Sequence, residues 1–257
     1  MRTIKTYVIN LKKATVRKTY MEGLLSKYNV LDVEFIKAVD GRKLSAAERK
    51  DLFDDEKCLS LIGRQLNGGE VGCVLSHRKC YENLLSTNEP YVLILEDDIS
   101  IIRNLEEIKQ YNIEGIMNTD KPTVLMLSGD FWYWRNKNIV SVYDCIGAYA
   151  YMINKAAAKL ILSYKASTVA DYWRYHISHG LNIKAIKPYM IDANLNMDLL
   201  SSDVDQYSWG VCRSKMSLKN VCRSYFGAIV KRALKNIGHF EYKTTVRNGK
   251  AEPGTKH

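Results

Sequence analysis

The stretch that most constrains this chain is Tyr91-Val92-Leu93-Ile94-Leu95-Glu96-Asp97-Asp98. A short apolar run, preceded by Pro90 and stopped by three carboxylates, reads as a strand buried on both faces. Strands of that kind belong to parallel sheets covered by helices. The carboxylates then stand at the strand's C-terminal end, the edge at which open α/β sheets bind ligands. The N-terminal segment agrees. Residues 4–11 read as a buried first strand, and residues 14–28 repeat apolar positions at helical spacing through Val16, Tyr20, Leu24 and Leu25. Residues 33–38 read as the next strand, ended by the turn Asp40-Gly41. Strand, helix, strand at the start of the chain predicts a βαβ unit.

Further along, residues 45–53 read as a helix with Ser45 as N-cap and Glu48 in the capping-box position. Gly68-Gly69 breaks the chain before a helical stretch over 70–85. Residues 123–127 and 147–153 read as strands, Asn154 caps a helix over 155–164, residues 171–179 are helical, and 183–186 form a short strand before Pro188. The prediction is an α/β fold with a mainly parallel central sheet. No Gly/Ser-rich linker divides it, and the one boundary drawn is a composition shift near residue 205.

That shift is one of charge. The 257 residues carry a formal net charge of +10. Residues 1–205 hold 27 Lys and Arg against 26 Asp and Glu, whereas residues 206–257 hold 11 against 2. Within the extension, Tyr225, Phe226, Ile229, Ala233 and Ile237 fall near one helical face, with Arg223, Lys231 and Lys235 away from it. Two readings stand side by side. The basic segment over 213–247 lies on an anionic membrane surface, or its apolar face packs on the body. Nucleic acid is not an expected partner, since neither zinc-finger spacing nor an RNP-type aromatic motif is present.

A hydrophobic share of 46% and a charged share of 26% exclude wholesale disorder. No apolar run approaches the roughly 18 residues of a membrane span. Residues 1–7 pass straight into a strand-like segment, so no cleaved leader is expected. Cysteines at 58, 73, 80, 145, 212 and 222 include no Cys-x-x-Cys pair. They are expected to be reduced thiols of a cytoplasmic protein, with no zinc site.

The chemistry concentrates on the acidic triplet. Adjacent carboxylates repel and raise one another's pKa values unless a cation compensates. A hard divalent ion is the usual compensator and can bridge to substrate phosphates. A solvated acidic turn is the competing reading, and it fits poorly directly behind a buried strand. The glycine-rich stretch Gly68-Gly69-Glu70-Val71-Gly72-Cys73-Val74-Leu75-Ser76-His77 opens a helix whose free N–H groups could meet an anion, but it is neither a Walker sequence nor GxGxxG.

In order along the chain, Val8-Ile9-Asn10-Leu11 with Arg17, Ala38-Val39-Asp40-Gly41, the glycine-rich stretch through His77, the acidic triplet, and Gly147-Ala148-Tyr149-Ala150-Tyr151 before an alanine-rich helix resemble the blocks of glycosyltransferase family 25. That family comprises bacterial lipooligosaccharide β-galactosyltransferases and collagen galactosyltransferase domains. The resemblance runs over about residues 4–205. It implies a GT-A-like, nucleotide-binding catalytic domain over 1–205, with 206–257 as a basic extension, and it implies a UDP-sugar donor and a divalent metal, Mn²⁺ or Mg²⁺. By the same resemblance Asp98 ligates the metal, and Glu96 or Asp97 completes the metal shell or holds the ribose. Ile9, Asn10, Leu11, Arg17, Asp40 and Gly41 would surround base and ribose, and Ser76 and His77 would belong to the donor pocket. Asp171 matches an acidic position near the acceptor, and Ser202-Asp203-Val204 resembles a block near the domain's end. The aromatic residues 131–134 and the extension have no counterpart.

The implied reaction is inverting transfer of a hexose, galactose foremost, from a UDP-sugar to a saccharide hydroxyl of lipooligosaccharide. Such a displacement needs a base at the attacking hydroxyl. Asp171 is the first candidate and Asp130 the second, both beside aromatic residues that suit sugar faces. Asp171 could instead N-cap a helix over 172–179, and His176 and His179 read as structural. A lipid-linked acceptor would place the enzyme peripherally on the inner face of the cytoplasmic membrane. The alternatives are a nucleotide-sugar-binding protein without turnover and a tail-driven membrane-surface adaptor.

Overall fold

The computed structural model describes residues 3–194 and 215–241. Ser202-Asp203-Val204 and the composition shift near 205 lie outside the described residues, as do 213–214 and 242–247 of the basic segment. Strand β1 (Ile4–Asn10) lies between β2 (Leu31–Lys37) and β3 (Tyr91–Glu96), parallel to both. Helix α1 (Thr15–Leu25) makes the β1–β2 crossover, so the predicted βαβ unit is present. Ile9 stands opposite Ile36 and Glu96, and Asn10 opposite Lys37. The C-terminal ends of the three strands are therefore level, and the segments leaving them share one sheet edge.

Among the described residues, the remaining α-helices are α2 (Ala46–Leu52), α3 (Asp55–Ile62), α4 (Gly68–Ser86), α5 (Ile113–Met117), α6 (Lys155–Leu162), α7 (Trp173–Ile177) and α8 (Leu218–Asn236). Burial on both faces explains β3. Val92 and Ile94 enter a core with Cys80, Tyr81 and Leu84 of α4 and Ala157 and Ile161 of α6. Leu93 and Leu95 enter the opposite core with Met21 and Leu25 of α1 and Ile113 and Met117 of α5. All four strand residues are fully buried. At about 25 cal/mol per Å² of apolar surface, this two-sided burial is the strongest local reason for the strand's position.

The sheet has nine strands in the order β11-β6-β7-β9-β5-β8-β3-β1-β2, where β5 is Thr123–Met126, β6 Phe131–Tyr133, β7 Ile139–Cys145, β8 Ala150–Asn154, β9 Asn182–Ile186 and β11 Phe240–Glu241. From the pairings, β1, β2, β3, β5, β6 and β9 run one way and β7, β8 and β11 the other. The fold is mixed α/β with a largely parallel direction, as the sequence predicts. A two-stranded ribbon of β4 (Ile99–Ile101) and β10 (Ile191–Ala193) continues from the acidic triplet.

Two boundaries differ from expectation. Helix α4 begins at Gly68, because Asn67 is its N-cap and Glu70 completes a capping box. Gly68-Gly69 are thus inside the first turn and do not break the chain. Glycine is required here for backbone contact: a Cβ on Gly41 would lie 2.1 Å from Gly68 O, and one on Gly72 would lie 2.5 Å from Val39 O. The turn after β2 is pressed directly onto α4. The helix expected over 171–179 is confined to α7, with Tyr172 as N-cap and no side-chain cap, so the capping role for Asp171 does not hold.

The described part of the extension joins the body. Leu234 and Gly227 of α8 are buried, Lys231 pairs with Asp144 at 3.1 Å, and Phe240 of β11 stacks on Trp132 with ring centres 4.4 Å apart. The predicted apolar face of α8 turns outward instead: Phe226 is 64% and Ile229 67% exposed. The packing alternative for that face is therefore overturned, because the helix docks through the opposite side. Among the described residues, no helix is long and apolar enough to cross a membrane. Cysteines 58, 73, 80, 145 and 222 are free thiols, as expected.

Candidate active site

The level strand ends open into a cleft. Three segments wall it. Ile9 lies at the end of β1, with Leu11 and Arg17 after it; Asp40 and Gly41 follow β2; and Glu96 ends β3, with Asp97 and Asp98 after it. Ser76 and His77 of α4 close the fourth side. Asn10 reaches the site through its side chain, whose Nδ2 donates to Asp97 Oδ2 at 2.6 Å. The sequence-predicted donor residues thus converge from segments up to 89 positions apart. A smaller hollow between α4 and α6, about 350 Å³, has no carboxylate in its lining.

The three carboxylates have separate surroundings. Arg17 Nη1 donates to Asp97 Oδ1 at 2.9 Å and to Asp98 Oδ2 at 3.2 Å. Arg17, expected beside base and ribose, lines the cleft, and its guanidinium offsets part of the triplet's repulsion. Burial nevertheless pushes the Asp97 carboxyl up, against the opposing pull of Arg17 and Asn10. Glu96 is the most accessible of the three, with 30% of its side chain exposed, and its Oε1 lies 3.2 Å from His77 Nε2. A carboxylate only accepts, so His77 donates from Nε2, and its Nδ1 shares a hydrogen bond with Tyr151 Oη, 2.8 Å away. Tyr151 Oη in turn lies 2.6 Å from Tyr81 Oη. A buried chain of hydroxyls and imidazole therefore ends on Glu96 and fixes its position.

Ser76 lines the cleft, yet its hydroxyl accepts from Val39 N at 2.8 Å and donates to Gly72 O at 2.6 Å. Its role is to pin the 39–41 turn. Asp40 accepts from Arg42 Nε at 3.0 Å, and that guanidinium holds its carboxyl below the usual range.

A family model described as "Glycosyltransferase family 25 (LPS biosynthesis protein)" matches residues 3–173, more than half of the chain. The chain belongs to glycosyltransferase family 25. A glycosyltransferase 25 family member of Aedes aegypti is 38% identical over 96 residues, which is 36% of this chain and 16% of that protein. Procollagen galactosyltransferase 2 of Homo sapiens is 29% identical over 100 residues, 36% of this chain and 15% of that protein. The chain thus spans about a sixth of the length of these relatives. Among solved structures, a glycosyltransferase involved in glycosylation of the major capsid of PBCV-1 is similar at 12% identity and a TM-score of 0.31, covering 61% of this chain and 62% of that one.

For a family 25 chain, the two base candidates stand differently from the donor residues: neither lines the cleft. Asp171 Oδ2 accepts from Gly147 N at 3.1 Å, and Trp173 Nε1 donates to Gly147 O at 2.8 Å. Gly147 has φ +84°, so this pair clamps a turn that suits glycine. Burial raises the Asp171 carboxyl pKa, the Gly147 N–H opposes that, and the nearby Glu96 charge raises it further. Asp130 has φ +62°, a conformation Asp tolerates better than most residues. Its backbone is held by Glu241 O and Ile146 N, each at 3.0 Å. His176 is buried against Tyr164 Oη and pushed down to about 3, so it stays neutral and structural.

The donor set fits a hard divalent ion in part. Glu96 and Asp98 offer carboxylate oxygens on the cleft wall, and Mg²⁺-type sites often use one or two carboxylates plus substrate phosphates. Sequence reasoning missed Cys73, which lines the cleft one turn before His77. Its signal was the Cys-x-x-x-His spacing on a helix.

Proposed function

We propose that the cleft binds a UDP-sugar and that the protein transfers a hexose, galactose foremost, with inversion to a saccharide hydroxyl. The observation that supports this best is the convergence of the segments after β1, β2 and β3 on one cleft in a family 25 chain. On this reading the domain over 1–205 is GT-A-like and 206–257 is its extension. The turn at Asp40-Gly41 and the β1 end hold uridine and ribose, and Glu96 is held in place by His77. Asp98 and Glu96 would hold Mn²⁺ or Mg²⁺, which supplies Lewis-acid relief of charge on the departing diphosphate. Asp171 takes the proton from the acceptor hydroxyl as its oxygen attacks C1, and the C1–O bond to the diphosphate breaks in line; Asp130 is the second choice. A panel of UDP-sugars assayed for metal-dependent hydrolysis and transfer, with NMR of the product, tests the reading. Absence of turnover with every donor overturns it.

A second reading, nucleotide-sugar binding without turnover, draws support from Asp171 and Asp130 standing off the cleft lining. Asp171→Asn separates the two. The amide keeps an acceptor for Gly147 N but cannot take a proton, so transfer should fall by about 10²–10⁴-fold. Stability moves the other way. A carboxyl whose folded pKa is raised holds its proton more tightly in the native state, so its stabilising effect is present below its ordinary 3.8 and is lost as pH rises through the folded value. The variant's urea midpoint should gain on the parent's as the pH rises above about 4.

The acceptor is proposed to be lipid-linked, with the outward face of α8 at the cytoplasmic leaflet of the membrane. Phe226 and Ile229 supply exposed apolar surface, and Arg232 and Lys219 stand beside them on exposed positions of the helix. Binding to anionic vesicles should fall as salt is raised from about 0.05 to about 0.5 M, because screening shortens the Debye length. Sedimentation that is unchanged by salt, or absent, contradicts it.

A further inference from the structure

The floor of the cleft carries donors of a different chemical character from Asp98. Cys73 and His77 stand four residues apart on α4, so their side chains share one face, the face turned to the cleft. Glu96 arrives from the end of β3. Among the described residues, these three form the one group of His, Cys, Asp or Glu side chains whose donor atoms all lie within 4.8 Å of one another. His77 is 2% exposed, and its ring is fixed by the bond between Nδ1 and Tyr151 Oη, itself anchored on Tyr81. A metal-bound imidazole is usually supported by an acceptor for its second ring N–H, a role the Tyr151 hydroxyl oxygen can also fill. Cys73 and Glu96 are only partly buried, and both line the cleft.

We propose that Cys73 Sγ, His77 Nε2 and the Glu96 carboxylate bind a thiophilic divalent ion of the Zn²⁺ class, with a fourth position open to the cleft. Sulfur and imidazole nitrogen select such an ion over Mg²⁺, which prefers oxygen. Three protein ligands and one open position are also the pattern of reactive rather than purely structural sites. Bond lengths of about 2.0–2.3 Å place tetrahedral donors about 3.3–3.8 Å apart, so side-chain shifts of about an ångström close the group around the ion. The thiol proton leaves to solvent on coordination. The imidazole keeps one proton, now on Nδ1, where it donates to Tyr151 Oη. Glu96 is then withdrawn from the position proposed for it in donor binding, so the ion acts as a plug in the donor cleft. The ion site itself does not depend on the transfer reaction.

Titration of the metal-free, full-length protein with Co²⁺ alone tests this independently of activity. The expected result is a single bound ion giving thiolate-to-cobalt charge-transfer absorption in the near ultraviolet, displaced by Zn²⁺. Cys73→Ser should remove that absorption, and Cys222→Ser, which alters an exposed thiol, should leave it. Tyr151→Phe should weaken Zn²⁺ binding by about 10–100-fold through loss of the imidazole's support. Asp98→Asn should leave the spectrum unchanged, which separates this site from the one proposed for the donor's metal. His77→Gln, checked for folding by circular dichroism, serves if Cys73→Ser does not fold. Absence of charge-transfer absorption in the parent protein, or its persistence in Cys73→Ser, overturns the proposal.

Discussion

Glu96→Gln is expected to lower UDP-sugar turnover by about 10²–10³-fold, the scale of losing one preorganised electrostatic contact at a reacting centre. The substitution is nearly isosteric. Its amide oxygen still accepts from His77 Nε2, so the buried chain through Tyr151 and Tyr81 remains intact. What is lost is one negative charge at the level end of β3, on the side chain most open to the cleft. Steady-state kinetics with a melting curve check both halves. Turnover within about twofold of the parent, with an unchanged melting temperature, would remove Glu96 from the donor machinery.

Gly41→Ala is expected to have the largest effect on stability, a loss of about 3 kcal/mol, at the upper end of the usual cost of overpacking. The added Cβ would lie 2.1 Å from Gly68 O and 2.5 Å from Gly72 N. Both are backbone atoms of α4, and neither can rotate away. The turn must lift off the helix, and it carries Asp40 out of the cleft and disturbs the bond from Val39 N to Ser76 Oγ. Donor affinity should therefore fall together with the urea midpoint. Gly23→Ala is the matched control. It lies in α1, and a Cβ there meets nothing within 4 Å. It should be neutral or gain up to about 1 kcal/mol from helix propensity. Equal effects at the two positions would mean that the turn does not press on α4.

The parts of this molecule that sequence reveals are those set by local pattern. The apolar run at 91–95 followed by carboxylates locates β3 and its edge, because burial on both faces leaves no other pattern. The capping boxes at Ser45–Glu48 and Asn67–Glu70 are equally local, although the second is masked by the glycines behind it. Gly68 looks like part of a chain break because its reason lies 26 residues away: a Cβ there would lie 2.9 Å from Arg42 Cα. Arg17 is a similar case. Nothing near it in the sequence shows that its guanidinium meets Asp97 and Asp98, about 80 residues on. Asp171 resembles an N-cap until Gly147 takes its carboxylate. Strand β11 is an edge addition laid on β6, with Phe240 stacked on Trp132 more than 100 residues back, and strand periodicity over two residues carries no signal.

The central claim is that carboxylates at the end of a buried strand serve a nucleotide diphosphate in the cleft beside them. Calorimetric titration of UDP into the full-length protein, with and without Mn²⁺, measures this most directly. The expected result is binding that requires the ion and falls by at least about tenfold in Asp98→Asn, with the variant's fold unchanged. Binding of UDP with equal affinity in the parent and in Asp98→Asn, or no binding in the presence of Mn²⁺, would contradict it.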